Sequence, residues 1–155
     1  MAGTYEFTRL RRHLVINNVV LFFMLVLLAF SAWRFQGHFR AIGVPRVFMN
    51  SVLVSVALQL LLFYPIFKFA KNDADREIAA SDTSLSAELQ KGLRSKRLIS
   101  DFTKAAIFIF FFTFIARAPA FSFILSTTLF SFFLTVISYL QCFNVAAKRA
   151  MAGQR

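Results

Sequence analysis

Long apolar runs are the feature that most constrains what this chain can fold into. They underlie four predicted spans, residues 14–33, 47–67, 99–116 and 121–145. About 20 apolar residues in a helix cross a hydrocarbon layer about 30 Å thick. The runs therefore predict an all-α, polytopic membrane protein. Its four transmembrane helices would form two hairpins within a single membrane domain, residues 1–155.

Composition agrees with a chain that lies in a bilayer. Hydrophobic residues make up 58% of the sequence and charged residues 16%, whereas an average soluble domain is about 25% charged. The net charge is nevertheless +11. Together these values exclude a soluble enzyme, a disordered tail and a nucleic-acid-binding module. The single cysteine excludes a disulfide framework.

The third apolar run is the least regular of the four. Residues 105–116 are uncharged but span only about 18 Å of helix, and extending the run back to Ile99 includes Asp101 and Lys104. These two lie three residues apart, so they could pair on one helix face while Lys104 reaches the interface. We expect a short or tilted third span. The alternative is a re-entrant hairpin that turns at residues 116–120.

The distribution of positive charge predicts the orientation. With four spans, the N-terminal tail, the loop 68–100 together with the adjoining Lys104, and the C-terminal tail share one side and carry 14 of the 18 Lys and Arg residues. The other four are Arg34, Arg40, Arg46 and Arg117. The positive-inside rule then places both termini and the loop in the cytoplasm. A bacterial inner membrane and the endoplasmic reticulum both satisfy that rule.

The loop 68–100 contains a leucine repeat, with Leu85, Leu89 and Leu93 four residues apart. Basic residues surround the second half of this repeat: Lys91, Arg94, Lys96 and Arg97. The pattern predicts a short amphipathic cytoplasmic helix whose basic residues bind anionic lipid or a partner protein.

The segment between the first two runs carries another cluster of aromatic and basic residues. Phe35, Phe39 and Ile42 follow helical spacing next to Trp33, which is typical of an interfacial aromatic belt. An alternative is contact with a phosphate or carboxylate ligand. The residues that would bind such an anion are Arg34, His38, Arg40 and Arg46.

Uncharged polar residues form stripes within two of the spans. The stripe in the second span is Ser51, Ser55 and Gln59, and the stripe in the fourth is Thr127, Ser131 and Thr135, with Ser138 continuing it. We expect these two helices to pack through the stripes, since small hydroxylated residues allow close approach. A polar channel lining is the alternative, but these two spans offer no acid or histidine for a proton relay. A second polar group lies near other span ends, at Asn17, Asn18, Gln141 and Asn144.

Patterns typical of catalysis or metal binding are not found in the sequence. His13 and His38 would lie about 35 Å apart along one helix, too far to share an ion. Asp73, Asp75 and Glu77 alternate like the start of a calcium loop, but the glycine and the final glutamate of such loops are missing. We therefore predict no catalytic residue, metal or cofactor, and interpret the acidic stretch as a solvated face.

These observations favour a non-catalytic integral membrane protein that is a subunit, assembly factor or scaffold of a larger membrane complex. Its partners would be the lipid bilayer, anionic lipids and other membrane protein subunits, with no nucleic acid. One alternative is a small membrane enzyme acting on a lipid or thiol conjugate. Size, span number and high pI are similar to the membrane-associated eicosanoid and glutathione metabolism family, although the Glu-Arg-x-x-Arg-Ala-x-x-Asn signature of that family is missing. A small transporter or channel is the other alternative.

Overall fold

A computed structural model describes residues 7–81 and 86–153 of the chain, and the regular structure in those residues is helical. The four helices are α1 (Thr8–Ala41), α2 (Pro45–Ala79), α3 (Ala87–Arg117) and α4 (Phe123–Gly153). Each is long and apolar enough to cross a membrane. The prediction of an all-α chain with four such helices is therefore confirmed.

Helix α1 extends eight residues beyond the predicted end of the first span, since nothing in the sequence interrupts it before Gly43. That glycine has a φ of +76°, a conformation that favours glycine, and Pro45 then begins α2. Because α1 continues, Phe35 and Phe39 are turned into the protein and are only 6% and 2% exposed. The interpretation of these two rings as an interfacial belt is therefore wrong.

Helix α3 is a single element of 31 residues, about 46 Å long. The predicted short cytoplasmic helix is not a separate element, because residues 91–97 form early turns of α3 itself. No proline or glycine follows Gly92 within α3 to separate the basic half from the apolar half. Leu85, the first residue of the leucine repeat, lies outside the described residues.

The helices alternate in direction, so the bundle has two different ends. The terminal end contains the start of α1, the end of α2, the start of α3 and the end of α4. Its apolar core is formed mainly by Leu10, Leu14, Ala70, Ala74, Phe143 and Ala147. The hairpin end contains the two short connections, residues 42–44 and 118–122, and its core is formed by Phe35, Phe39 and Phe130.

Helix α4 is the centre of the bundle. It contacts the other three helices, and its contact with α2 is the most extensive in the described part of the chain. Helix α3 rests on α4 and more lightly on α2. Among the described residues, no Cα atom of α1 lies within 8 Å of a Cα atom of α3. A gap therefore separates these two outer helices above the surface of α4.

Candidate functional site

The two polar stripes lie in the contact between α2 and α4. Ser51 and Ser55 are fully buried. The Ser55 hydroxyl lies 2.7 Å from the carbonyl oxygen of Ser51 and 3.0 Å from that of Thr127, and it can donate to either. A serine side chain that reaches the backbone of the facing helix requires the two helices to be close. The small residues of α2 thus lie where α2 and α4 approach each other.

Gln59 continues this contact toward the terminal end. Its amide Nε2 donates to the Ser138 hydroxyl at 2.7 Å, and its Oε1 accepts from the Thr135 hydroxyl at 3.3 Å. The hydroxyls of Thr127 and Ser131 are buried, and neither has a hydrogen-bond partner in the described part of the chain. The structure therefore brings Gln59 and Thr135 together by a hydrogen bond, whereas Ser131 is present in the contact only as a small packed side chain.

An asparagine cluster connects α1 with α4. The Asn144 amide donates to Asn18 Oδ1 at 2.9 Å, and the Asn17 amide donates to Asn144 Oδ1 at 3.4 Å. Gln141, which the sequence groups with these residues, is exposed instead. Asn144 is buried, so its paired amide satisfies polar atoms that would otherwise destabilise the core.

The basic residues of the hairpin end do not form a shared binding site in the described structure. Arg34, Arg40 and Arg46 are exposed and make no ion pair or hydrogen bond with described residues. The His38 ring stacks on Phe121, with ring centroids 4.1 Å apart. His38 therefore packs the C-terminal end of α1 against the connection between α3 and α4.

A polar cluster that the sequence did not predict lies at the terminal end, around the buried carboxylate of Asp73. Oδ1 accepts the Ser100 hydroxyl at 2.6 Å, and Oδ2 accepts the Tyr139 hydroxyl at 2.8 Å. The Lys104 ammonium lies 2.8 Å from Oδ2, and Arg76 lies 3.6 Å from Oδ1. One carboxylate thus joins α2, α3 and α4. We call these five residues the Asp73 cluster.

The surroundings of Asp73 favour its ionised form. Asp73 lies past the apolar segment of α2, which ends at Phe67. Burial opposes ionisation, but the Lys104 ammonium and the hydrogen bonds from Ser100 and Tyr139 outweigh it and hold the pKa of Asp73 below its usual value. Lys104 also lies 3.6 Å from Asp101, one turn earlier in α3.

A cavity of about 420 Å³ opens beside the Asp73 cluster, between α1 and α3. Helix α1 contributes Arg9, His13 and Asn17 to its wall, and Tyr139 and Phe143 of α4 also line it. The remaining wall comes from the end of α2 and the first half of α3. The cavity therefore occupies the gap between the two outer helices at the terminal end.

The four basic residues predicted as a lipid or partner surface divide into two pairs. Arg94 and Arg97 line the cavity, whereas Lys91 and Lys96 are exposed outside it. Arg97 forms an ion pair with Glu77 at 3.0 Å, which ties α3 to α2 a second time. The predicted solvated acidic face is therefore wrong for Asp73 and Glu77, since α3 packs over both of them, while Asp75 is exposed.

The region around the cavity is lined by charged side chains of both signs. Both Asp73 oxygens already accept hydrogen bonds, so this carboxylate has little capacity left to act as a general base. No group of three or more His, Cys, Asp or Glu side chains among the described residues could hold a metal ion. Comparison with known proteins gives no match to any family model, curated protein or solved structure.

Proposed function

We propose that this chain is a non-catalytic integral membrane protein that serves as a subunit, assembly factor or scaffold of a larger membrane complex. Its termini and the connection between α2 and α3 would lie in the cytoplasm. The observation that supports this proposal most directly is the outer face of α3.

A continuous row of apolar residues lines that face. We call the row the outer stripe: Leu98, Phe102, Ala105, Ile109, Phe112 and Ala116. Successive members are four, three, four, three and four residues apart, the spacing at which one helix packs along another. The four large members are between 66% and 74% exposed. Each pair of large side chains along the stripe is followed by an alanine, so the stripe has both protruding side chains and gaps for a facing helix.

The stripe also extends beyond the part of α3 that lipid tails would cover. Leu98 lies about 10 Å before Ala105, where the uncharged segment begins. Charged neighbours surround Leu98 in sequence, namely Lys96, Arg97 and Asp101. An apolar face that continues into a charged segment is better covered by an apolar helix of another protein than by lipid. The occupant that we propose is therefore a transmembrane helix of a different subunit.

The experiment is native mass spectrometry of the protein purified from its own membrane in mild detergent. A companion protein in fixed stoichiometry is expected with the wild-type chain. The double variant Phe102→Ala/Phe112→Ala should lose that companion, because it removes two large members of the stripe. The control Phe22→Ala/Phe23→Ala makes the same change on the exposed face of α1 and should retain it.

Three outcomes would contradict the proposal. They are a lone monomer, an oligomer made only of this chain, and a companion retained by the α3 variant as well as by the control. A lone monomer or an oligomer of this chain alone would mean that there is no larger complex. A companion retained by the α3 variant would place the interface with that companion away from the outer stripe.

A further inference from the structure

The cavity at the terminal end carries more positive charge than its own acids neutralise. Five cationic side chains line it: Arg9, Arg76, Arg94, Arg97 and Lys104. Three carboxylates line it as well: Asp73, Glu77 and Asp101. Arg76 and Lys104 lie against Asp73, Lys104 also approaches Asp101, and Arg97 pairs with Glu77. The three acids are thus all engaged with three of the five cations.

The two remaining cations stand on the two helices that do not touch each other. Arg9 belongs to α1 and Arg94 to α3, and within residues 7–81 and 86–153 neither makes an ion pair or a hydrogen bond. His13 lies one turn after Arg9 and lines the same cavity, as does Asn17 one turn further on. Two guanidinium groups and an imidazole therefore line a space in which no acceptor among the described residues pairs with Arg9 or Arg94.

The level of the cavity along the bundle indicates the kind of anion. His13 immediately precedes the apolar run of α1, and Lys104 immediately precedes the uncharged segment of α3. The cavity therefore lies at the boundary between the apolar and charged parts of the helices. A phosphate group at a membrane surface would lie at this level. Arginine suits such a group because its planar guanidinium can donate two parallel hydrogen bonds to phosphate oxygens.

From these observations we propose that the cavity binds a phosphate-bearing anion between Arg9 of α1 and Arg94 of α3. The anion is either the headgroup of an anionic phospholipid or a free phosphate compound. The cavity volume of about 420 Å³ is within the usual range for small-molecule sites. A bound phosphate would connect α1 with α3, which the described protein contacts do not do. This site is independent of any partner protein on the outer stripe.

The test uses the full-length chain, stripped of lipid in a neutral detergent, and measures its melting temperature during titration. One arm adds phosphatidylglycerol, with phosphatidylcholine as the zwitterionic comparison. The other adds inorganic phosphate, with chloride at the same ionic strength as the comparison. Stabilisation by phosphatidylglycerol alone identifies a lipid headgroup. Stabilisation by phosphate alone, or by both, identifies a site open to free phosphate.

The variants Arg9→Gln and Arg94→Gln should each weaken the apparent affinity for the anion about tenfold or more, because each removes one guanidinium group that would bind it. Their matched controls are Arg12→Gln on α1 and Lys91→Gln on α3. Both control residues are exposed and neither lines the cavity, so these variants should change the affinity less than twofold. The melting temperature without ligand verifies folding, and since Arg9 and Arg94 have no described protein partner it should stay at the wild-type value.

Two results would overturn the proposal. One is the same loss of affinity in the cavity variants and in their controls, which would indicate general surface attraction. The other is the absence of any stabilisation in both arms. The variants Arg9→Lys and Arg94→Lys keep the charge, so an affinity between those of the wild type and the glutamine variants is expected if the planar fork contributes.

Discussion

At the scale of single residues, Asp73 has the largest structural role that we find in the described part of the chain. Its carboxylate holds donors from three helices, and α3 has few other attachments to the bundle. A buried carboxylate is stable only if its oxygens are paired, and removing one member of such a network leaves the others unsatisfied. Asp73 is therefore a structural link whose loss should loosen α3 first.

Asp73→Asn should lower the free energy of unfolding by about 1–3 kcal/mol. The amide loses the ion pair with Lys104, and its nitrogen cannot accept one of the two hydroxyl hydrogen bonds. Thermal unfolding in detergent would measure the change. Asp75→Asn is the matched control, since Asp75 is exposed two residues further along α2, and it should change stability by less than about 0.5 kcal/mol. Equal effects of the two substitutions would show that the Asp73 cluster does not stabilise the fold.

The residues of the polar stripes and those of the Asp73 cluster differ in how far the sequence could predict them. Ser51, Ser55 and Gln59 repeat every fourth position inside an apolar run, so their shared face is visible in the sequence. Asp73 instead receives donors from 27 and 66 residues away, at Ser100 and Tyr139. Locally it belongs to a polar patch. The burial of Asp73 depends on α3 and α4 packing over the end of α2. The sequence around Asp73 does not indicate this packing.

At the scale of helices, the contact between α2 and α4 holds the bundle together. It is built on small residues, which let the two backbones approach, and hydrogen bonds cross it at Ser55 and Gln59. Between transmembrane helices such bonds contribute only about 0.6 kcal/mol each on average. Close packing, rather than the hydrogen bonds alone, therefore provides most of the stabilisation at this contact.

Ser55→Leu should destabilise the protein by about 1–3 kcal/mol, because a larger side chain at a fully buried position forces α2 away from α4. The control is Ala57→Leu, an increase in size on an exposed face of the same helix. We expect the control to unfold at nearly the wild-type temperature. If Ser55→Leu unfolds at the same temperature as Ala57→Leu, α2 and α4 are not closely packed at this position.

The lengths of the helices show a second limit of sequence patterns. Apolar runs identified the four helices but not their ends, because hydrophobicity reports contact with lipid and a helix continues wherever nothing breaks it. Helix α1 reaches Ala41 for this reason, eight residues beyond its apolar run. The basic residues before Ile99 likewise join α3 instead of forming a separate surface helix.

At the scale of the whole molecule, the two ends of the bundle differ in charge. Of the 17 Lys and Arg residues in the described part of the chain, 13 belong to the terminal end and four to the hairpin end. This asymmetry supports an orientation with the terminal end in the cytoplasm. The cavity that we propose as an anion site would then face the cytoplasmic leaflet, whose anionic lipids carry the charge that it requires.

The orientation can be measured with single cysteines introduced into a Cys142→Ser background. With the protein expressed in the inner membrane of bacterial cells, Ala41→Cys, at the hairpin end, should react with a membrane-impermeant thiol reagent added to the intact cells. Ala152→Cys, at the terminal end, should react only after the membrane is permeabilised. Both positions are exposed in the structure, so burial within the protein does not limit their labelling. The opposite order of labelling would reverse the proposed topology.

The central position of α4 has a consequence for how the protein is made. Helix α4 is the last of the four in chain order, yet it is the common neighbour of the other three. The ribosome therefore releases α1, α2 and α3 before the surface of α4 on which they pack exists. Until α4 emerges, Ser55 and Asp73 lack the α4 groups that they contact, which are the Thr127 carbonyl and the Tyr139 hydroxyl. Assembly of this bundle is thus completed by its final helix.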